Sequence, residues 1–194
     1  MDSRRLSLIA LFAALTAVSA FIRIPLWPVP ITMQTFFVIL SGLVLGASGG
    51  AMSQTIYILV GLMGLPVFSG GGGPSYLMNP SMGYLIGFIL APVAVGLSAR
   101  HRALTWKTVL AASLLGSLMI YTVGVPYLAG YLHFVLKKPE AVGMAVKTGL
   151  LLFLPGDLLK CVALTLIVPR LSLGRIRGPE KRWGGGGGLN DEHR

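Results

Sequence analysis

Charge is what this sequence has least of. Only 11% of its 194 residues are Asp, Glu, Lys or Arg, against about 25% in an ordinary soluble domain. A chain so poor in charge cannot clothe a water-exposed globule, and a soluble fold is excluded. Acidic residues are the scarcer sign: 6 Asp and Glu stand against 16 Lys and Arg, a formal net charge of +10. No basic face alternates with aromatic stacking platforms, so nucleic acid is not an expected partner. There is 1 cysteine, Cys161, and His101, His133 and His193 are scattered. No internal disulfide can form, no metal cluster is implied, and no cofactor is expected. Catalytic motifs are missing as well: no H-E-x-x-H, no G-x-S-x-G, no pair of carboxylates for acid–base work. An enzyme is therefore not expected. The glycine run after Ser69 lacks a trailing G-K-[ST], so it makes no nucleotide site.

What the chain has in abundance is apolar sequence, 54% hydrophobic with a mean hydropathy of +0.78. Six apolar runs read as bilayer-crossing helices, at about 6–24, 32–46, 50–65, 81–99, 107–125 and 144–169. The basic start and first run resemble a secretory signal, but the run is long and more spans follow, so it is read as the first helix. The second run is short. Little more than Ala47-Ser48-Gly49 separates it from the third, which predicts a tight helical hairpin. Pro25, Pro28 and Pro30 break the chain between the first and second runs.

Lys and Arg set the orientation. With the N-terminus inside, segments 1–5, 100–107 and everything beyond 169 hold eleven of them, whereas the outer segments hold four, Arg23, Lys137, Lys138 and Lys147. Both termini are therefore expected in the cytoplasm, in a multi-pass protein of the plasma membrane whose basic residues meet the anionic leaflet of the lipid bilayer. The chain divides into a six-helix membrane domain over 1–175 and a tail over 176–194. The tail's glycine run at 184–188 has polar neighbours and reads as a flexible linker.

The strongest chemical signal is Pro155-Gly156-Asp157-Leu158-Leu159-Lys160 in the sixth run. Asp157 is the one acidic residue inside any run, and Lys160 the one basic residue well inside. Three positions apart, they share a helix face. A charge at the bilayer centre costs roughly 2.5–3.5 kcal/mol on insertion scales and usually faces a bundle interior or a water-filled cavity. The pair therefore marks a polar spot within the bundle. A ligand pocket is one reading, and an ion pair that only fixes helix packing is the other. Pro155 and Gly156 predict a break or cap just before it.

The uncharged loop over 64–80 carries glycines at 70–73, with Gly71 and Gly72 at its centre. Such a run lets backbone N–H groups approach a ligand closely, unless it is merely a linker. Asn79 offers both a donor and an acceptor at the start of the fourth run. Thr32 is placed to cap the second helix, with Gln34 beside it near the outer mouth. Gln54, Tyr57 and Tyr84 are further polar groups on apolar helices, each more often explained by an interhelical hydrogen bond than by a ligand contact. Ala10 and Ala14, one turn apart, form a small-xxx-small face suited to close helix approach, within the bundle or from a partner.

At these residues the chain resembles the BioY proteins, the biotin-specific substrate-binding (S) components of energy-coupling factor (ECF) transporters. The resemblance covers about 5–170. It rests on four ordered motifs: Pro30-Ile31-Thr32-Met33-Gln34-Thr35; Gly64-Leu65-Pro66-Val67-Phe68; Pro80 with Gly83-Tyr84-Leu85-Ile86-Gly87-Phe88; and the Pro155–Lys160 segment. It implies an all-α integral membrane protein, a six-transmembrane-helix bundle of the ECF S-component type, with a biotin site near the outer surface. It also implies partners, a transmembrane coupling protein and two cytosolic ATPase subunits. Asn79, Asp157 and Lys160 carry over as substrate-binding residues, with Gln34, Gln54 and Tyr84 beside them, and Ala10 and Ala14 as the Ala-x-x-x-Ala partner contact. The chemistry agrees. Asp157 can accept from a ureido N–H, Asn79 or Lys160 can donate to the ureido carbonyl, and Phe68, Tyr76 and Tyr84 can wall the apolar part. Backbone N–H groups around Gly71 and Gly72 can meet the valerate carboxylate. The expected function is capture of extracellular biotin and its delivery inward with an ATP-driven module. The residues alone leave open a self-sufficient secondary transporter with Asp157 as proton carrier.

Overall fold

The computed structural model describes residues 3–171. The tail expected over 176–194 and the end of the expected membrane domain lie outside the described residues. Helix α1 spans Ser3–Ser19 and stops short of the expected boundary at Ile24. Arg23–Ile24 (β1) instead pairs antiparallel with Ile31–Thr32 (β2), with Arg23 opposite Thr32 and Ile24 opposite Ile31. The turn between them carries Pro25, Pro28 and Pro30, which have no N–H to continue a helix.

Helix α2 runs over Gln34–Leu62 but is broken at Gly46, whose φ of 74° and ψ of −176° lie outside helical space. A residue with a Cβ rarely adopts that backbone, and glycine does so freely. The chain doubles back there. Gln34 Nε2 lies 2.6 Å from Tyr57 Oη, 23 residues on, whereas a straight helix would separate those positions by about 35 Å. The expected hairpin is thus present, with its corner at Gly46 rather than at Ala47-Ser48-Gly49. Glycine also permits its closeness: a Cβ on Gly42 would stand 2.8 Å from Pro92 Cα, and one on Gly50 would stand 2.6 Å from Pro92 Cβ.

Helix α3 spans Met82–Ser98 and contains Pro92. Helix α4 spans Trp106–Gly130 and continues in a π turn over Tyr131–Val135. Thr105 caps it, its hydroxyl accepting from the Thr108 N–H at 3.4 Å. It outruns the expected end at Val125 because Pro126 is accommodated inside the helix, as proline often is in membrane helices. The last expected span is composite. It consists of α5 (Ala141–Val146), a π turn (Lys147–Leu151), α6 (Leu154–Ile167) and a final 3-10 turn (Val168–Arg170). Pro155 sits in the first turn of α6, where its missing N–H has no intrahelical partner to lose.

Among the described residues, Gln34–Leu62, Trp106–Val135 and Ala141–Arg170 are long and apolar enough to cross a membrane, and Met82–Ser98 is a shorter apolar helix. The packing is inverted relative to a soluble protein. On α6, Asp157, Lys160, Cys161 and Leu164 are buried on one face, while Leu158, Leu159, Val162, Leu166 and Ile167 are exposed. Such a surface is stable only against hydrocarbon.

The core has two parts. One is mainly aliphatic and gathers Phe12, Ile39, Leu43, Val95, Val109 and Leu164. Its end of the bundle carries the hairpin corner, where Arg5 donates to Ser48 Oγ at 2.9 Å. The other part is aromatic, built around Tyr57, Phe68, Tyr76, Tyr84, Phe88, Tyr121 and Phe153. It surrounds the candidate site.

Candidate functional site

Four segments converge at the aromatic end: the β1–β2 turn with the start of α2, the loop before α3 with that helix's first turns, the middle of α4, and the start of α6. They border a narrow cavity of about 40 Å³, well below the roughly 300–1,000 Å³ of small-molecule sites, so a guest fits only if the walls move apart. Its apolar walls are Val29, Pro30, Leu85, Phe88, Ile120 and Phe153, with the rings of Tyr76 and Tyr84; its polar groups come from Thr32, Gln34, Thr35, Ser69, Ser81, Tyr121, Asp157 and Lys160.

Asp157 and Lys160 are 4% and 8% exposed, so the two charges sit inside the bundle as their spacing on α6 predicts. Their separation is 2.7 Å, from Lys160 Nζ to Asp157 Oδ1. Lys160 also donates to the Thr32 carbonyl at 2.6 Å and to Thr35 Oγ1 at 2.8 Å. An ammonium has three N–H bonds, and all three are used. Thr35 in turn donates to Asp157 Oδ1 at 3.1 Å, and the Tyr121 hydroxyl donates to Asp157 Oδ2. The pair is thus braced from α2 on one side and α4 on the other, and it borders the cavity as well. The geometry is compatible with either reading of the sequence signal: the pair clamps α6, and it places polar groups on the cavity wall.

Gln34 reaches the cavity as expected. Its Nε2 donates to the Tyr57 hydroxyl, and its Oε1 accepts from Thr32 Oγ1 at 3.1 Å. Thr32 also accepts from the Gln34 N–H at 3.3 Å, although the N-cap position of α2 is Met33, which makes no side-chain cap bond, and not the expected Thr32. Tyr84 is on the wall too, its hydroxyl donating to the Gly149 carbonyl at 2.9 Å and its ring stacked 6.0 Å from that of Phe153.

Other expected site residues lie elsewhere. Asn79 is not on the cavity wall: its Oδ1 accepts from the Ser81 N–H at 2.9 Å and so shapes the entry to α3. Gln54 is fully buried against α1, with Nε2 donating to Thr16 Oγ1 at 3.2 Å and to Ser53 Oγ at 3.0 Å. Gly71 and Gly72 also stay off the wall. Gly71, at φ 119°, closes a turn whose N–H and carbonyl pair with Phe68, and Gly72 packs against the Leu65 carbonyl. The loop is thus folded on itself, with the Gly71 and Gly73 N–H groups already donating to the Phe68 and Gly61 carbonyls. Phe68 is buried behind the wall, tilted 4.5 Å from Tyr76. Ala10 and Ala14 are exposed on α1.

Sequence reasoning gave no site role to Tyr121, Ser81 or Phe153, and it quoted Thr35 only within a motif. Tyr121 had a findable signal: Ser117 and Tyr121 are one turn apart in an apolar run, and Ser117 meets Cys161 of α6 at 3.8 Å.

A mostly helical bundle with a lipid-suited surface and a small cavity bordered by a buried ion pair defines a membrane protein. Comparison with known proteins narrows the class. The chain belongs to the BioY family, whose model matches residues 1–175. A probable biotin transporter BioY of Lysinibacillus sphaericus is 43% identical, over 86% of this chain and 85% of its own length. The biotin transporter BioY of Thermotoga maritima is 42% identical, over 87% and 95%. A probable biotin transporter BioY of Pyrococcus horikoshii is 40% identical, over 88% and 98%. Among solved structures, the S-component for biotin from an ECF-type ABC transporter superposes with a TM-score of 0.70 at 26% identity, covering 88% of this chain and 93% of that one. These relatives are transporters and transporter components, not enzymes.

Proposed function

We propose that this protein is the biotin-capturing membrane subunit of an ECF-type uptake system. The observation that carries the proposal is the cavity beside the buried Asp157–Lys160 pair, in a chain whose relatives are named for biotin transport. Biotin is a bicyclic urea with an apolar ring and tail. The urea needs an anionic or polar acceptor for its N–H groups, which Asp157 supplies. It also needs a donor for its carbonyl, which Ser81, Gln34 or a rearranged Lys160 supplies. The thiophane ring and tail suit Tyr76, Tyr84, Phe88 and Phe153.

In this reading the helices form six transmembrane spans, with the two arms of α2 counted separately and both termini in the cytoplasm of a multi-pass plasma-membrane protein. The membrane domain extends to about residue 175, followed by the glycine-rich tail. The cavity then opens toward the outside and the basic hairpin end lies inside. Uptake is driven by a transmembrane coupling protein with two cytosolic ATPases, docked along the exposed Ala10 and Ala14 face of α1.

The test is native mass spectrometry of the detergent-solubilised protein with biotin, expected to show one ligand per chain. Absence of a biotin adduct at micromolar ligand would sink the proposal. Uptake in cells that co-express the coupling module is expected to stop on ATP depletion. Uptake that instead collapsed with the proton gradient would favour a self-sufficient carrier. An Ala14→Trp variant is expected to bind biotin normally while losing uptake.

A further inference from the structure

Counting hydrogen bonds at Asp157 singles out a residue that the site's expected chemistry did not use. A carboxylate offers about four acceptor positions, two on each oxygen. Oδ1 takes Lys160 Nζ at 2.7 Å and Thr35 Oγ1 at 3.1 Å, which fills it. Oδ2 takes the Tyr121 hydroxyl. One acceptor position remains, on Oδ2, and Asp157 lines the cavity. Tyr121 thereby takes one of the two acceptor positions on Oδ2 and leaves one. Its ring has a second situation. It lines the cavity, and it also lines a membrane-facing groove formed with Leu114, Leu118, Val125, Leu150 and Leu154. The ring stands between the polar interior and the lipid side, anchored at its tip by the carboxylate.

We infer that Tyr121 is a positioning residue for ligand selection: its hydroxyl aims Asp157 so that one oxygen accepts a single N–H from the guest. The inference rests on the biotin reading above. It explains why a urea, with two N–H groups on opposite sides of one carbonyl, would be held in one orientation. Only one of its N–H groups can find Oδ2.

The experiment uses the full-length protein in detergent, with biotin and its two analogues singly methylated on one or the other ureido nitrogen. The wild type is expected to bind one analogue much more weakly than the other. Tyr121→Phe keeps the ring and removes the hydroxyl. It is expected to bind biotin about tenfold more weakly, the loss of roughly one charged hydrogen bond's aim, and to discriminate less between the analogues. In an Asp157→Asn background the Phe substitution is expected to have little further effect. Wild-type affinity and discrimination in Tyr121→Phe would overturn the inference. So would an equal loss for all three ligands, or a Phe variant that fails to fold, because the hydroxyl would then serve the fold and not the carboxylate's aim. Failure of the wild type to bind biotin would sink the biotin reading and this inference with it, whereas the other outcomes leave that reading standing.

Discussion

The two ends of this bundle fill the space between their helices differently. At the hairpin end, glycine and proline bring backbones together: Gly42 and Gly50 pack onto Pro92, and Gly96 packs onto the Gly46–Ala47 corner. At the cavity end glycine again brings α3 onto α4, where a Cβ on Gly87 would stand 2.8 Å from Ile120 Cα, but aromatic rings and hydrogen-bonded polar groups fill the space among the other segments. Membrane helices gain little from the hydrophobic effect between themselves, so close van der Waals packing must bind one end. The other end can remain open only because its polar groups satisfy one another. The difference teaches where stability and recognition reside. Close packing at the glycine end fixes the helices' relative positions, and the cavity end joins the ion-pair clamp on α6 to the walls of the site.

The largest expected effect comes from unbalancing the ion pair. Lys160→Met leaves Asp157 as an uncompensated buried charge and is expected to cost about 3–5 kcal/mol in stability. Thermal unfolding in detergent would read it. The double variant Asp157→Asn with Lys160→Met is expected to recover most of that stability while binding no biotin. If the single variant proved as stable as the wild type, the pair would not clamp α6. Next comes the glycine end. Gly42→Leu forces side-chain atoms into Pro92 and is expected to cost about 1–3 kcal/mol, while the protein that still folds binds biotin with unchanged affinity. Lost affinity at unchanged stability would break the division between the ends.

Smaller effects sharpen the boundary. Tyr84→Phe removes the bond to the Gly149 carbonyl, with an expected stability loss of about 1 kcal/mol, and it keeps the ring on the wall. Gln54→Leu should be milder still, about 0.6 kcal/mol for one interhelical polar contact in a membrane. Its biotin affinity, measured by isothermal titration, is expected to stay at the wild-type value. A tenfold loss would place Gln54 at the site, against its position facing Thr16 of α1.

Sequence alone determined the membrane class and the pair at its centre. Scarce charge and long apolar runs leave no soluble alternative, and two ions three positions apart on an apolar helix must turn inward together. It also foresaw the hairpin, because two apolar runs so close in sequence can only pack antiparallel. Tertiary structure decided which polar groups reach the cavity. Asn79, Gln54 and Gly71 look as capable of binding as Gln34 or Tyr84 when read as residue types, yet Asn79 and Gly71 are held in local turns and the Gln54 amide N–H groups go to Thr16 of α1 and to Ser53. Tyr121 looked like one more aromatic in an apolar run, and its role exists only because α4 crosses α6 at Asp157. The physical reason is that a hydrogen-bonding group has few bonds to give. Which partner takes them depends on distances between helices that no local pattern encodes.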